Sequence, residues 1–333
     1  MLRIGKTDLI IEQNGFGALP IQRISHEETT VLLHKAVDMG MNFFDTARGY
    51  TDSEEKLGNA FHGRWSSLVV ASKTPAQNAK SFWEDLTTSL RNLQTDTIDI
   101  FQFHNPSFCP KPDGEDGLYN AMLQAKKEGK IRYIGITNHR LDVAHEAVES
   151  GLYDTLQFPF SYISGAEELE LYNRCVEKGM GFIAMKALAG GLITNAYVAS
   201  AWISQYSNAI PIWGIQRMSE LEEFGDIIHN PPALDETALS IIATDREQLK
   251  GDFCRGCGYC MPCPKGIDIR SCARASLLLR RAPTDIILSE KGREMMEKVL
   301  LCVNCGLCKS RCPYSLDIPM LIRRNYADYR TML

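Results

Sequence analysis

Through the first 230 residues, apolar runs alternate with amphipathic stretches at intervals of roughly 30 residues, the span of one strand plus one helix. Strand cores fall near Phe16, Phe43, Val69, Ile100, Tyr133, Phe158, Ile183 and Ile212. Between the first two, Ser25-His26-Glu27-Glu28 reads as a capping box opening a helix, and Leu32, Leu33, Ala36, Val37 and Met39 keep helical spacing up to Gly40. Gly129, Gly151 and Gly179 stand between a helix end and a strand start, where a left-handed residue stops a helix. Eight strands with intervening helices predict an α/β fold, a (β/α)8 barrel. The segment from Met1 to about Ile11, with its Gly5-Lys6-Thr7-Asp8 turn, reads as a hairpin ahead of the first barrel strand. Asn230-Pro231-Pro232 ends the last amphipathic stretch, since proline removes a donor and restrains the residue before it. We therefore divide the chain into a barrel over 1–230, a linker with one helix over 231–252, and a small helical module over 253–333.

Three successive strands end in ionisable groups. Asn42-Phe43-Phe44 suits a strand covered on both faces and stops at Asp45, which would be costly to bury without a cationic partner. Ser67 to Ser72 leads into Lys73, and Ile98 to Phe103 into His104. A parallel barrel gathers such carboxyl-terminal ends on one face, where it places chemistry.

Asp45-Thr46-Ala47-Arg48-Gly49-Tyr50, followed by Glu54-Glu55-Lys56-Leu57-Gly58, Lys73 and His104, resembles the catalytic tetrad of the aldo-keto reductase family. Arg3-Ile4-Gly5-Lys6-Thr7, Gly15-Phe16-Gly17 and Ile134-Gly135-Ile136-Thr137-Asn138 are similar to that family as well. The resemblance implies hydride transfer between a nicotinamide cofactor and a small carbonyl or alcohol. Tyr50 would be the general acid, Lys73 the ammonium that lowers its pKa, Asp45 the carboxylate that fixes Lys73, and His104 the orienter of the carbonyl. Taken singly, Asp45 and Lys73 could be a structural ion pair and His104 a core histidine. The resemblance further implies that Thr137, Asn138 and Gln157 hold the nicotinamide carboxamide, although such residues also cap strand ends. Gly190 and Gly191 would let backbone amides approach a pyrophosphate, or form a simple loop. The chain departs from the family in offering Met185 where many members stack a tyrosine, and Gln216-Arg217 with Glu222-Glu223-Phe224 near the adenosine site. Arg217 could pair with a 2′-phosphate, which favours NADP(H) with NAD(H) as the alternative, or lie on the surface without a ligand. The loop Asn105 to Gly114 follows His104 directly, and Phe108 suggests an apolar wall for substrate.

Eight of the eleven cysteines form two runs. Cys254, Cys257, Cys260 and Cys263-Pro264 recur as Cys302, Cys305, Cys308 and Cys312-Pro313, with offsets of 48 for the first three and 49 for the fourth, and Asp268-Ile269 recurs as Asp317-Ile318. The repeat resembles two-cluster bacterial-type ferredoxins, in which three cysteines of one run and the Cys-Pro cysteine of the other complete each [4Fe–4S] cluster. That cross-over would join Cys254, Cys257 and Cys260 to Cys312, and Cys302, Cys305 and Cys308 to Cys263. Helical stretches around Ala273 to Arg281 and Ser289 to Leu301 separate the runs, so the module should be a helical ferredoxin-like type. Structural zinc is the rival reading of paired Cys-x2-Cys. Cys272 is spare, Cys175 lies on a helix stripe as core, and Cys109 is a lone loop cysteine.

Hydrophobic residues make up 44% of the chain and charged residues 23%, which excludes disorder as the main theme. The amino terminus has no apolar h-region and nowhere do eighteen apolar residues run together, so the expectation is a cytoplasmic chain without membrane spans. The formal charge is −5, yet residues 253–333 carry 14 Lys and Arg against 7 Asp and Glu, leaving −12 on the first 252. The basic excess is interleaved with cysteines, so thiolate compensation, with a redox protein as possible partner, is preferred to nucleic acid. A hydride carries two electrons and a cluster moves one, and no flavin motif stands between them. The leading reading is a carbonyl oxidoreductase coupled to, or stabilised by, two clusters. Its rivals are an electron-transfer protein on a barrel with altered or lost reductase activity, and a zinc-bound partner-recognition module.

Overall fold

The computed structural model describes residues 1–281 and 285–333. The chain divides into two compact units, one of residues 1–187 with 197–234 and another of residues 188–196 with 235–333.

The first unit opens with a short antiparallel hairpin, β1 (Leu2–Arg3) and β2 (Ile10–Ile11). Eight parallel strands follow: β3 (Gly15–Gly17), β4 (Phe43–Asp45), β5 (Val69–Thr74), β6 (Ile98–His104), β7 (Ile131–Thr137), β8 (Thr155–Pro159), β9 (Gly181–Met185) and β10 (Ala209–Gly214). β10 pairs with β3, so the barrel closes, and every predicted strand core lies in its own strand. The helices between them are α1 (His26–Asp38), α2 (Ser53–Phe61), α3 (Ala79–Leu93), α4 (Leu118–Lys127), α5 (Leu141–Ser150), α6 (Ala166–Lys178) and α7 (Ala196–Ile203), with α8 (Met218–His229) after β10. Ser25 and Glu28 form the reciprocal capping box at the start of α1, and Gly151 and Gly179 end α5 and α6 in the left-handed region.

Inside the barrel, Phe43, Val69, Ala71, Ile100, Ile183, Ile210 and Ile212 pack together with Ile4, Leu9 and Ile11 of the hairpin. The hairpin thus supplies apolar side chains at the amino ends of the strands. This leaves the opposite ends to polar groups. The register runs Asp45 beside Ala71, Lys73 beside Gln102, His104 beside Thr137 and Thr137 beside Gln157.

The second unit begins with α9 (Glu236–Gln248), followed by α10 (Ile269–Cys272), α11 (Ala275–Arg281), α12 (Asp285–Leu288), α13 (Glu290–Glu297), α14 (Leu307–Ser310) and α15 (Ile318–Arg330). The predicted helix from Ser289 to Leu301 is α13, capped by Ser289, and then tightens into a 3₁₀ turn from Lys298 to Leu301. The recurring Asp-Ile pairs have one local role. Asp268 and Asp317 cap α10 and α15, each carboxylate accepting an amide from three residues on. Ile269 and Ile318 then enter a core shared with Ile267, Met296, Leu321 and Ile322. Ser276 and Asn325, 49 residues apart like those caps, meet directly, with Oγ and Oδ1 2.8 Å apart. Among the described residues no helix is long and apolar enough to cross a membrane.

Candidate active site and cysteine centre

The carboxyl ends of β4, β5 and β6 bring Asp45, Lys73 and His104 together, and the loop after β4 delivers Tyr50. Lys73 Nζ donates to both carboxylate oxygens of Asp45 at 2.7 Å and to the Thr46 carbonyl at 2.6 Å. Three such bonds use all the protons of an ammonium. Both side chains are buried. Burial pulls the Lys73 pKa down, and Asp45 and then Glu54 pull against it. Burial likewise raises the Asp45 pKa, and Lys73 opposes it. Each charge is tolerable only beside the other. Lys73 Nζ also lies 5.3 Å from the centroid of the half-buried Tyr50 ring, so the cation faces the phenol. His104 meets Tyr50 edge to face, with ring centroids 5.8 Å apart. Burial first, and the Lys73 charge second, lower the His104 pKa to about 3, so its imidazole is neutral at physiological pH.

The sequence reading gave no role to a second layer of this site. Glu54 is buried, its Oε1 accepts from Ser72 Oγ at 2.6 Å, and its Oε2 pairs with the Arg48 guanidinium. The Arg48 amide donates to the Lys73 carbonyl at 2.9 Å. Glu54 therefore adds a second negative charge that holds Lys73 as an ammonium. A legible signal existed in the helical phase, since Glu54 shares a face with Leu57, Gly58 and Phe61 while Glu55 turns outward. Gln102, adjacent to Lys73 in register, donates to Gln157 Oε1 at 2.9 Å, and its own Oε1 is buried without a partner. Gln157 Nε2 in turn approaches Asp45 at 3.5 Å.

The residues expected around a cofactor fall into four settings. Thr137 and Gln157 are neighbours on the strand ends beside His104, and among the described residues the Thr137 hydroxyl has only a sulfur contact, Met185 Sδ at 3.9 Å. Asn138 spends three of its four hydrogen-bonding positions on the chain, donating to the Pro106 carbonyl and accepting from the amides of His139 and Arg140. Arg217 is exposed at the start of α8, with Glu220 3.8 Å from its guanidinium. Gly190 and Gly191 both adopt positive φ and belong to the second unit. The loop after His104 is pinned from below, with Tyr153 Oη donating to the Pro110 carbonyl and Cys109 buried beside it, and Phe108 is exposed.

In the second unit cysteines of the two runs come together. Cys254, Cys257 and Cys312 each raise the cost of ionising Cys260, whose pKa is pushed up to about 12 chiefly by burial. Four thiols that oppose one another's charge fit a cationic inorganic core. Cys260, Cys263, Cys302, Cys305 and Cys308 line a single cavity together with Ile267, Ile269 and Ile322. Cys312 of the second run thus bears on the charge of Cys260 of the first, and Cys263 of the first run shares a cavity with Cys302, Cys305 and Cys308 of the second. Among the described residues no three His, Cys, Asp or Glu side chains are gathered as a site for one metal ion. Cys272 is buried outside both sets with its Sγ 3.5 Å from the Met295 carbonyl, and burial pushes its thiol up to about 12. Cys175 is likewise a buried thiol raised to about 12.

Comparison with known proteins agrees with these two regions. The sequence profile of a 4Fe-4S dicluster domain matches residues 253–317. L-galactose dehydrogenase of Arabidopsis thaliana is 30% identical over 211 residues, covering 58% of this chain and 66% of that protein. The uncharacterized oxidoreductase YqkF of Bacillus subtilis is 25% identical over 263 residues, covering 73% and 80%. An aldo-keto reductase from Klebsiella pneumoniae solved in complex with NADPH superposes with a TM-score of 0.62 at 21% identity, over 73% of this chain and 93% of that one. The Aldo/keto reductase family profile matches residues 13–205, more than half of the sequence and the strand ends that carry Asp45, Lys73, His104, Thr137 and Gln157, and the chain belongs to that family.

Proposed function

We propose that this oxidoreductase reduces a small carbonyl with NADP(H), using Tyr50 as general acid, and that its second unit carries two [4Fe–4S] clusters that exchange electrons with an acidic redox protein. The observation that carries the first part is the buried Lys73 ammonium, held by Asp45 and facing the Tyr50 ring at 5.3 Å. A cation there stabilises the phenolate left when Tyr50 gives its proton to the developing alkoxide. The bound nicotinamide supplies the hydride. Neutral His104 can donate from one ring nitrogen to the carbonyl oxygen, which an imidazolium would do only at the cost of burying a second cation beside Lys73. Thr137 and Gln157 would orient the carboxamide, with Asn138 contributing its remaining amide hydrogen, and Arg217 would exchange Glu220 for a 2′-phosphate. Tyr50→Phe keeps the ring packing and removes the proton. It should lower carbonyl-dependent NADPH oxidation by about 10²- to 10⁴-fold while leaving NADPH binding, read by fluorescence, unchanged. An unaltered turnover rate would defeat the assignment.

The partner reading rests on exposure. Cys305 is exposed, and Leu300 at 69%, Leu301 at 55% and Val303 at 62% surround it in sequence. Arg311 and Arg323 stand nearby without a carboxylate partner within ion-pair distance among the described residues, and the module carries a basic excess. A cationic rim around an apolar centre suits a partner with an acidic rim. Anaerobic mixing with NADPH, followed at the cluster absorbance, tests coupling. Bleaching of that band would mean that electrons pass from the barrel chemistry to the module, and its persistence would leave the partner as the sole donor.

A further inference from the structure

Arg274 is a guanidinium in an unusual place. It is only 9% exposed, and the groups that bear on its charge are Cys254 and Arg270, with no carboxylate among them. Of its five N–H donors, Nη2 donates to the Gly190 carbonyl at 2.6 Å, and Nε is buried with no partner. The guanidinium lies in a slot between two glycines. A Cβ on Gly256 would come within 2.7 Å of Nη1, and one on Gly190 within 3.4 Å of Nη2, and both glycines have φ +66°. Gly256 sits inside the Cys254-x2-Cys257 loop, and its amide donates to Cys254 Sγ at 3.4 Å. A buried, permanently charged group with no carboxylate beside it among the described residues is expensive, and the Gly256 backbone against which it packs leads straight to Cys254 Sγ.

The internal repeat supplies a comparison within the same molecule. A shift of 49 residues carries Arg274 onto Arg323. Arg323 also reaches the first cysteine of its run, donating to the Cys302 carbonyl at 3.3 Å, but it is exposed to water. Each half thus brings an arginine to its first cysteine, one inside the protein and one in solvent. The same charge acts far more strongly in the low-dielectric setting.

We propose that Arg274 is the built-in counter-charge of the cluster held by Cys254, Cys257, Cys260 and Cys312, raising that cluster's reduction potential well beyond what Arg323 does for its counterpart. The inference rests on the two-cluster reading above. Reduction adds one electron to the cluster and moves no atoms, so a fixed cation beside it favours the reduced form. Arg274→Gln should lower one of the two midpoint potentials by at least tenfold in the oxidised-to-reduced ratio, 59 mV for one electron.

The test is a dithionite titration of the full-length protein with redox mediators, followed by electron paramagnetic resonance, on wild type, Arg274→Gln, Arg274→Lys and Arg323→Gln. Iron and acid-labile sulfide are counted in each sample. A drop confined to one cluster in Arg274→Gln, largely restored by Arg274→Lys and much smaller in Arg323→Gln, supports the counter-charge. Unmoved potentials with full iron and sulfide overturn it, as does an equal shift from Arg323→Gln. If Arg274→Gln loses one cluster while Arg274→Lys keeps both, charge is again the requirement. If both variants lose it, the role is shape rather than charge and the proposal fails. Wild-type protein with neither iron nor sulfide after anaerobic reconstitution would instead remove the two-cluster reading, and the inference with it.

Discussion

Replacing Lys73 with methionine isolates the interaction around which the barrel site is built. The substitution keeps most of the side-chain volume and removes a cation that makes three bonds, two to Asp45 and one to the Thr46 carbonyl. Asp45 is then a buried carboxylate whose remaining side-chain partners are two neutral amides, Gln157 at 3.5 Å and Gln102. Stranding one member of a buried pair costs about 3–5 kcal/mol. With a urea dependence near 3 kcal/mol per molar, the unfolding midpoint should fall by about 1–2 M. The sequence supplies a clean probe, because all four tryptophans, Trp65, Trp83, Trp202 and Trp213, belong to the first unit. Their fluorescence reports barrel unfolding without contribution from the cysteine module. The double variant Asp45→Asn with Lys73→Met removes both charges and should recover at least half of the loss, since the penalty comes from the orphaned carboxylate. A single variant that unfolds at the wild-type midpoint would refute the buried ion pair. A double variant worse than either single one would refute the reasoning about its cost.

Three further outcomes are expected. His104 stays neutral in the folded protein down to about pH 3, whereas in the unfolded chain it takes a proton below about pH 6.5. The unfolded state then binds more protons, so stability falls as pH drops through this window, by up to about 1.4 kcal/mol per pH unit. Between pH 6.5 and pH 5 wild type should lose about 2 kcal/mol more than His104→Gln in the tryptophan assay, and parallel profiles would contradict this. Arg217→Ala should raise the KM for NADPH by about 10-fold or more through loss of a charged hydrogen bond while leaving the KM for NADH in place, and an equal change in both would remove Arg217 from the 2′-phosphate site. Cys263→Ser should abolish the cluster whose other ligands lie in the second run, roughly halving iron and sulfide, and the surviving resonance should still respond to Arg274→Gln. Loss of the Arg274-sensitive resonance instead would mean that each run holds its own cluster.

The barrel was legible because its signals are local and repeated. Each strand core is a short apolar run, each helix end a glycine or a cap, and the closing of β10 on β3 follows from their number. Asp45, Lys73 and His104 were legible because each ends such a run. Glu54 was missed as a participant because its burial depends on which way α2 rolls against α3, a tertiary fact that the motif Glu54-Glu55 leaves ambiguous. Asn138 illustrates the converse. Residue type suits it to a ligand but does not tell how many of its bonds are free, and the turn into α5 takes its side-chain oxygen while Pro106 takes one amide hydrogen, leaving the other. Arg274 lay beyond sequence reasoning for a similar cause, since nothing in Cys272-Ala273-Arg274-Ala275 distinguishes a buried cation from a surface one. Only the glycine slot reveals it.

The contact between Ser276 and Asn325 carries a consequence for how the cysteine module is assembled. Equivalent positions of the two halves of the repeat meet there, so the halves pack directly against each other. The module is therefore one folding unit built from both halves of the repeat. Neither half completes a hydrophobic centre alone, because Ile269 from one and Ile318 from the other share it. Linkage in one polypeptide keeps the two halves together while each diverges, so that one arginine could be drawn inside while its twin stayed in water.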